Sequence, residues 1–352
     1  MSYSDLSLNY YYDENGEYDE FLGICQQCIM ANIYLILKHR MKCQFDPYNL
    51  FMEDTTPLLI VDKEKKDLRV VNLLPHEPKF LKKINVNTTV RDYEPNAVKI
   101  LEELLEQGYM VMVQTAFHML PNWVIYRPEY VYESDDNFDR NAQHAIIALW
   151  HDKDYFYFND KQDSVYSDKI ELVEKEVYRV KKEELAFPLG KFLKFTTFDV
   201  DEDKINSLGL NYDLLKQIVE NYDKHFIQVS DVTLRFSGRD ALTQLIKICE
   251  NQELYPKFEL VYGAFEPDLF KYIIFRKVML HRWLVRNSQE DSLCRRAFDV
   301  VNAWSIAKNS AIKNIIRKNK VPGIEPCLKK CFENILEKED AFIAGLKTHL
   351  KC

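Results

Sequence analysis

An apolar segment runs from Cys28 to Leu37, and few folds can accommodate it. A helix formed by this segment would be apolar on nearly every side, and a helix of that kind is buried on most sides. Lys38, His39 and Arg40 follow directly, where cations stabilise the C-terminus of a helix. The sequence therefore predicts a central, buried helix that begins with a cysteine.

Short segments rich in β-branched and aromatic residues predict antiparallel strands in the first 200 residues. Two early segments, 58–61 and 69–74, flank a charged turn and predict a hairpin. Five later segments predict further strands: 109–115, 143–150, 154–159, 177–180 and 192–198.

After about residue 200 the apolar residues recur with helical spacing. The segments with this spacing are 211–225, 239–250, 267–286, 290–319 and 326–350. A chain of 352 residues holds about two domains, since one domain takes roughly 150 residues. We therefore expect an α+β domain over residues 1–200 and an all-helical domain over residues 201–352.

The composition, 47% hydrophobic and 29% charged residues, fits a globular protein and argues against disorder. No apolar stretch approaches the roughly 18 residues that a membrane helix needs. The first 20 residues hold six acids and no Lys or Arg, the reverse of a secretory leader. We expect a cytoplasmic protein with no membrane partner, whose eight cysteines are not a disulfide framework.

The net charge of -8 conceals a basic segment. Residues 271–330 hold 14 Lys or Arg and only four Asp or Glu, which suits an anionic partner. A solvated helix face is the commonest explanation of such a run, and core positions such as Trp283 and Trp304 interrupt it. We expect no nucleic acid, which leaves an acidic protein or a phosphate-bearing arm as the anionic partner. Arginine suits a phosphate group in particular, and the candidates are Arg276, Arg282, Arg286, Arg295 and Arg296.

Three residues occur in the order that cysteine-based catalysis requires. Cys28 begins the buried helix, His144 opens a predicted strand, and Asp160 closes the next strand. A helix N-terminus and a neighbouring imidazolium both lower the pKa of a thiol, and the thiolate is the nucleophile. A hairpin would place His144 beside Asp160, which would then orient the imidazole towards the sulfur.

Other interpretations of these residues remain open. Cys28 is also explained as an ordinary buried thiol, and Asp160 as a turn residue at a strand end. Cys25 is a rival nucleophile, and His118 or a solvated His151 is an alternative base. Pairs of cysteines at 25 and 28 and at 327 and 331 have spacings seen in zinc sites. We predict no metal site, because the second pair lies inside a predicted helix and no C-x-x-C pair recurs.

At these residues the chain resembles papain-like enzymes. Gly23-x-Cys25-x-x-Cys28 before an apolar helix is similar to the papain pattern, in which the second cysteine is the nucleophile. Residues 28–38 also resemble the start of the bacteriocin-processing C39 peptidases. The N-terminal domain of the butirosin-biosynthesis-protein-H family, which pairs a C39-like domain with a helical half, is similar over four segments: 108–113, 118–123, 144–147 and 155–160.

The resemblance covers residues 23–198 well and the helical half in outline, and it implies a papain-like (C39-like) cysteine protease fold with a central helix and an antiparallel sheet. The founding member of that family is described as an acyltransferase from a carrier protein to an amine, and a related amide-forming enzyme serves in closthioamide-type antibiotic assembly. The resemblance therefore implies transfer of an acyl group from a phosphopantetheine thioester, through acyl-Cys28, to an amine. The implied partners are an acidic acyl carrier protein and a small amine, with no bound cofactor. A C39-like cysteine peptidase and a non-catalytic partner-binding module are the alternatives.

Papain-like enzymes usually carry a glutamine about six residues before the nucleophile, where this chain has Leu22. Gln26 or Gln27 is therefore the candidate for a second oxyanion donor beside the Cys28 N–H. The C39 peptidases also usually have Asp-Pro where this chain has Asp160-Lys161.

A long aromatic insertion, residues 116–142, separates the first two of the five later strands. A loop of that length inside a compact domain is usually functional, although its aromatic residues would equally serve in packing. We expect His118, Trp123 and Tyr126 to line the substrate site, as the resemblance suggests.

Overall fold

A computed structural model describes residues 19–25, 28–41, 43, 45–52, 54–62, 67–70, 85–91, 96–116, 143–160, 170–174, 177–183, 193–199, 212–224, 227–228, 233–250, 267–288, 290–318 and 326–351. Helices combine with antiparallel sheets there, and long helices form the C-terminal part, so the α+β class is confirmed. Contacts within the chain divide it into two units. Unit 1 comprises Met1–Phe45 and Leu81–Ser207, and unit 2 comprises Asp46–Phe80 and Leu208–Cys352.

The secondary structure follows the chain in this order. The described helices are α1 (Glu20–Ile24), α2 (Cys28–Leu35), α3 (Pro47–Phe51), α4 (Ala97–Glu106), α5 (Tyr212–Asp223), α6 (Gly238–Glu250), α7 (Pro267–Asn287), α8 (Asp291–Lys318) and α9 (Pro326–Leu350). The described strands are β1 (Leu58–Asp62), β2 (Asp67–Val70), β3 (Asn85–Arg91), β4 (Val111–Ala116), β5 (Gln143–His151), β6 (Tyr155–Asn159), β7 (Ile170–Glu174), β8 (Val177–Lys181), β9 (Leu193–Asp199), β10 (Ile227–Gln228) and β11 (Thr233–Ser237).

Unit 1 is built on an antiparallel sheet of seven strands, in the order β3-β9-β4-β5-β6-β8-β7. Helix α4 covers one face of this sheet, because its apolar residues recur at helical spacing and the strands alternate. The resulting core includes Leu101, Val113, Ile146, Phe158 and Phe195, which are all buried. In this strand order β5 lies in the middle of the sheet, with β4 on one side and β6 on the other.

Helix α2 is the buried helix that the apolar segment predicts. All its residues from Met30 to Leu35 are buried, and the helix contacts β5. It continues as one π-helical turn, Ile36–Arg40, so the helical segment ends near the predicted position. Asp19 holds this end in place, because its carboxylate accepts hydrogen bonds of 2.7 Å from the Tyr34 hydroxyl and from Lys38 Nζ.

Unit 2 is not all helical, and the prediction on this point was wrong. It contains a four-stranded sheet in the order β10-β11-β1-β2, in which β1 and β2 form the predicted hairpin. Strand β1 also pairs along its whole length with β11, from Leu58 opposite Ser237 to Asp62 opposite Thr233. Residues 46–80 consequently group with the C-terminal helices, whereas the sequence predicts one boundary near residue 200.

The helices of unit 2 converge on two consecutive acids of α9, Glu339 and Asp340. The fully buried Glu339 carboxylate pairs with Lys277 of α7 at 2.7 Å and accepts a hydrogen bond of 2.9 Å from the Trp304 indole of α8. The Asp340 carboxylate accepts hydrogen bonds from the Tyr222 hydroxyl of α5 at 2.8 Å and from Arg239 Nε of α6 at 3.1 Å. Side chains from four helices therefore bond to two adjacent residues of α9.

None of the helices in the described part of the chain combines the length and the apolar character needed to cross a bilayer.

Candidate active site

Cys28 is the first residue of α2, and the residue as a whole is partly exposed. Its sulfur makes hydrogen-bonding contacts with the imidazole of His144 and with the backbone N–H of Ala145. The helix begins at this cysteine, so the dipole of α2 also favours negative charge on the sulfur. The sulfur of Cys28 thus has several partners that stabilise a thiolate.

His144 and Asp160 are brought together by two adjacent strands. His144 is the second residue of β5, and Asp160 directly follows β6. Asn159 pairs with Ile147, so Asp160 lies only a few residues along the sheet from His144. The His144 Nε2 and Asp160 Oδ1 atoms are 2.9 Å apart, and both side chains are almost fully buried, with 4% and 1% exposed.

The surroundings of His144 favour its charged form. Burial alone would lower the pKa of the imidazole, but the charge and the hydrogen bond of Asp160 act in the other direction. The contact with Cys28 adds to this effect, and together these groups raise the pKa of His144 to about 10. His144 is therefore an imidazolium at neutral pH.

The thiol of Cys28 shifts in the opposite direction. Burial raises its pKa, but the hydrogen bond and the positive charge of His144 outweigh that effect. The N–H of Ala145 also lowers the pKa, and the charge of Asp160 opposes it weakly, so that the pKa of Cys28 falls below its ordinary value. The pair therefore favours a thiolate beside an imidazolium, which is the reactive form of a cysteine nucleophile.

The geometry assigns different roles to the two imidazole nitrogens. Nε2 bonds to Asp160, which leaves Nδ1 as the nitrogen that can exchange a proton with the Cys28 sulfur. This arrangement suits covalent acyl chemistry: the thiolate attacks a carbonyl, and the imidazolium supplies a proton to the leaving group.

The remaining predicted site residues lie outside the described part of the chain. They are the two candidates for an oxyanion donor, Gln26 and Gln27, and the three candidates for the substrate wall, His118, Trp123 and Tyr126. Their roles stay predictions.

The residues considered as rivals have other surroundings. Cys25 is fully buried, whereas Cys28 is the cysteine whose hydrogen bond and charge act on the His144 imidazole. His151 is less exposed than the sequence predicts, since Nδ1 lies 2.9 Å from Lys182 Nζ and its ring contacts Phe156. Among the described residues, no group of three or more His, Cys, Asp or Glu side chains is placed to hold a metal ion.

Sequence reasoning missed two groups at the site, Ala145 and Asn32. The backbone of Ala145 contacts the Cys28 sulfur, and its carbonyl accepts a hydrogen bond of 2.7 Å from Asn32 Nδ2. A backbone group leaves no trace in a sequence. Asn32 does leave one, because a buried amide in an otherwise apolar helix needs a hydrogen-bond partner.

Several charges of the basic segment 271–330 are used within unit 2. Arg276 is buried and donates to the backbone oxygen of Asp54. Arg286 pairs with Asp46 at 3.6 Å, and Arg296 donates to the Ala341 carbonyl at 3.1 Å. The cationic surface is therefore smaller than the sequence suggests. Four of the five arginines singled out there are exposed, namely Arg282, Arg286, Arg295 and Arg296.

No model of a known protein family matches this chain, and a search of curated proteins found no match either.

Proposed function

We propose that the protein is a papain-like cysteine acyltransferase that forms amides. It moves an acyl group from the phosphopantetheine thioester of an acidic carrier protein to a small amine, as the resemblance to the butirosin-biosynthesis-protein-H family suggests. The contact of the Cys28 sulfur with the His144 imidazole, itself bonded to Asp160 at 2.9 Å, supports this proposal most directly.

The first half of the proposed reaction forms an acyl-enzyme. The Cys28 thiolate attacks the thioester carbonyl, and the tetrahedral intermediate collapses as the carbon–sulfur bond to pantetheine breaks. His144 gives its proton to the departing pantetheine thiolate. The Cys28 N–H at the start of α2 is the proposed first donor to the oxyanion, and Gln26 or Gln27 is the proposed second donor.

The second half transfers the acyl group to the amine. His144, now neutral, takes a proton from the amine as its nitrogen attacks the acyl-Cys28 carbonyl. The carbon–sulfur bond to Cys28 breaks, and the thiolate returns to its position beside the imidazolium. Asp160 keeps the imidazole in one orientation through both halves, because it is bonded to Nε2 throughout.

The proposed carrier contact is the exposed surface around Arg282 of α7 and Arg295 of α8. Guanidinium groups bind phosphate in a bidentate manner, so they suit both the acidic carrier and the phosphate of its prosthetic arm.

Incubation with an acyl-pantetheine thioester and a small primary amine tests the proposal. We expect mass spectrometry to detect the amide, and we expect Cys28→Ala and His144→Gln to abolish its formation. Cys25→Ala is the matched control, because it removes a fully buried thiol three residues before Cys28, and it should retain activity.

Other outcomes would assign the protein differently. Peptide cleavage without amide formation would identify a C39-like cysteine peptidase. Full biological activity of the Cys28→Ala variant would identify a partner-binding module that does not use the sulfur.

A further inference from the structure

Helix α2 meets strand β5 at the edge of the sheet where one neighbouring strand stops. Strand β4 pairs with β5 along this stretch, with Gln114 opposite Ala145. Strand β6 pairs with the other edge of β5 only from Ile147 onwards, opposite Asn159. Among the strands of the described residues, none therefore pairs with this edge of β5 at Ala145.

Helix α2 contacts this edge through two residues that are one turn apart. Asn32 Nδ2 donates to the Ala145 carbonyl at 2.7 Å, and the Cys28 sulfur contacts the Ala145 N–H. Positions i and i+4 lie on one face of a helix, and the N–H and C=O of one strand residue point to the same edge. A single face of α2 thus contacts both the N–H and the C=O of Ala145.

We propose that Asn32 is a positioning residue of the active site, which fixes the Cys28 sulfur against His144 by anchoring α2 to the backbone of Ala145. This inference rests on the proposed function. Two contacts set the rotation of α2 about its axis as well as its distance from β5, whereas one contact would leave the helix free to pivot. Ala145 directly follows His144, so the anchor also fixes the distance from the sulfur to the imidazole.

The hydrogen bond from the Asn32 amide to the Ala145 carbonyl is buried, and its loss would leave that carbonyl without a donor. Asn32 is 1% exposed, so water cannot replace the amide as a donor to the Ala145 carbonyl. The charged groups that act on the Cys28 sulfur are His144 from β5 and Asp160 from the end of β6. Displacement of α2 would weaken the contact with His144 first, because that contact depends on both elements.

The test measures how fast iodoacetamide modifies Cys28 at a series of pH values, with the modified peptide quantified by mass spectrometry. Asn32→Leu keeps the branching and the number of side-chain heavy atoms and removes the donor. We expect its alkylation midpoint to move to higher pH by about one unit, which lowers the rate about tenfold at pH values below both midpoints. Asn32→Ser, which is smaller and polar, serves in its place if the leucine variant does not fold.

Tyr34→Phe is the matched control. It removes a buried hydrogen bond of 2.7 Å to Asp19 from the same helix, at a position that does not contact Cys28. We expect this variant to keep the wild-type midpoint. An unchanged midpoint in the Asn32 variants, or an equal shift in Tyr34→Phe, would overturn the positioning role alone. A wild-type midpoint in the ordinary thiol range would overturn the proposed function as well.

Discussion

Cys28 and Cys294 are both partly exposed residues, yet their neighbours act on their thiols in opposite directions. His144 lowers the pKa of Cys28 against the effect of burial. Burial and the charges of Asp291 and Glu290 raise the pKa of Cys294. The chemistry of a cysteine in this chain is therefore decided by its charged neighbours rather than by exposure.

The charge of His144 depends on Asp160, and this gives a prediction. We expect Asp160→Asn to lower the pKa of His144 from about 10 towards its ordinary value of 6.5, because the variant lacks the negative charge. The wild-type imidazole stays protonated through pH 8, whereas the variant loses its proton below that pH. Nuclear magnetic resonance of isotope-labelled histidine measures the pKa of the imidazole, and His144→Gln assigns the signal. An unchanged titration in Asp160→Asn would contradict the assignment of Asp160.

At the residue scale, the sequence predicts the three central groups because they differ in chemical type and follow a recognisable order. Cys28, His144 and Asp160 are each placed by a long element or a tight hairpin. The contribution of Ala145 could not be predicted, because it comes from the backbone and from the point at which β6 stops pairing.

At the element scale, the buried pair of Lys277 and Glu339 holds α7 to α9. Both side chains are buried, with 3% and 0% exposed, so neither charge is solvated if its partner is lost. We expect Glu339→Gln to lower the free energy of unfolding by about 3–5 kcal/mol, because Lys277 would stay buried without a counter-charge. Urea denaturation measures the change.

Two controls separate this effect from general damage to α9. The double variant Lys277→Met and Glu339→Gln should regain most of the stability, because no buried charge is left and the amide oxygen still accepts from the Trp304 indole. Lys338→Ala removes an ion pair at the surface of α9 and should change stability by less than about 1 kcal/mol. Equal losses in all three proteins would argue against a specific role for the pair.

The junction of β11 and α6 depends on Gly238. Its φ of +53° is in the left-handed region, and a Cβ atom there would collide with the backbone of Tyr222. Its N–H also donates to the Pro57 carbonyl at 2.8 Å. We expect Gly238→Ala to lower the free energy of unfolding by about 2 kcal/mol or more, and the melting temperature should fall with it. Wild-type stability in that variant, measured by calorimetry, would show that the junction tolerates a side chain.

The long helices could be predicted almost to the residue, while the strands β3, β7, β10 and β11 could not. Helix α9 begins and ends where the apolar spacing predicts, at Pro326 and Leu350. Strands β3 and β11 escaped prediction because a strand of five to seven residues gives a weak periodic signal. Strand β11 pairs with β1, which is far away in sequence, so no local sequence pattern predicts this pairing.

At the scale of the whole molecule, unit 2 is discontinuous. Residues 46–80 supply β1, β2 and α3, and Asn49 of α3 accepts a hydrogen bond from the Trp283 indole. Residues 81–207 of unit 1 separate this segment from the rest of unit 2.

This discontinuity predicts which fragments fold. We expect a fragment of residues 208–352 to unfold without cooperativity, since it lacks the strand that covers β11. A chain that joins residues 46–80 to 208–352 by a short flexible linker should unfold cooperatively. Circular dichroism during thermal unfolding compares the two. Equal cooperativity in both would show that the N-terminal segment is dispensable for unit 2.

Competitive alkylation of the whole chain measures whether His144 keeps Cys28 ionised. Iodoacetamide is applied at pH 6 to 9, and every cysteine is quantified by peptide mapping. We expect Cys28 to react rapidly even at pH 6 to 7, Cys294 to react only near the upper limit, and His144→Gln to remove the advantage of Cys28. Cys28 reacting no faster than Cys294 at neutral pH would contradict the ionisation of Cys28 by His144.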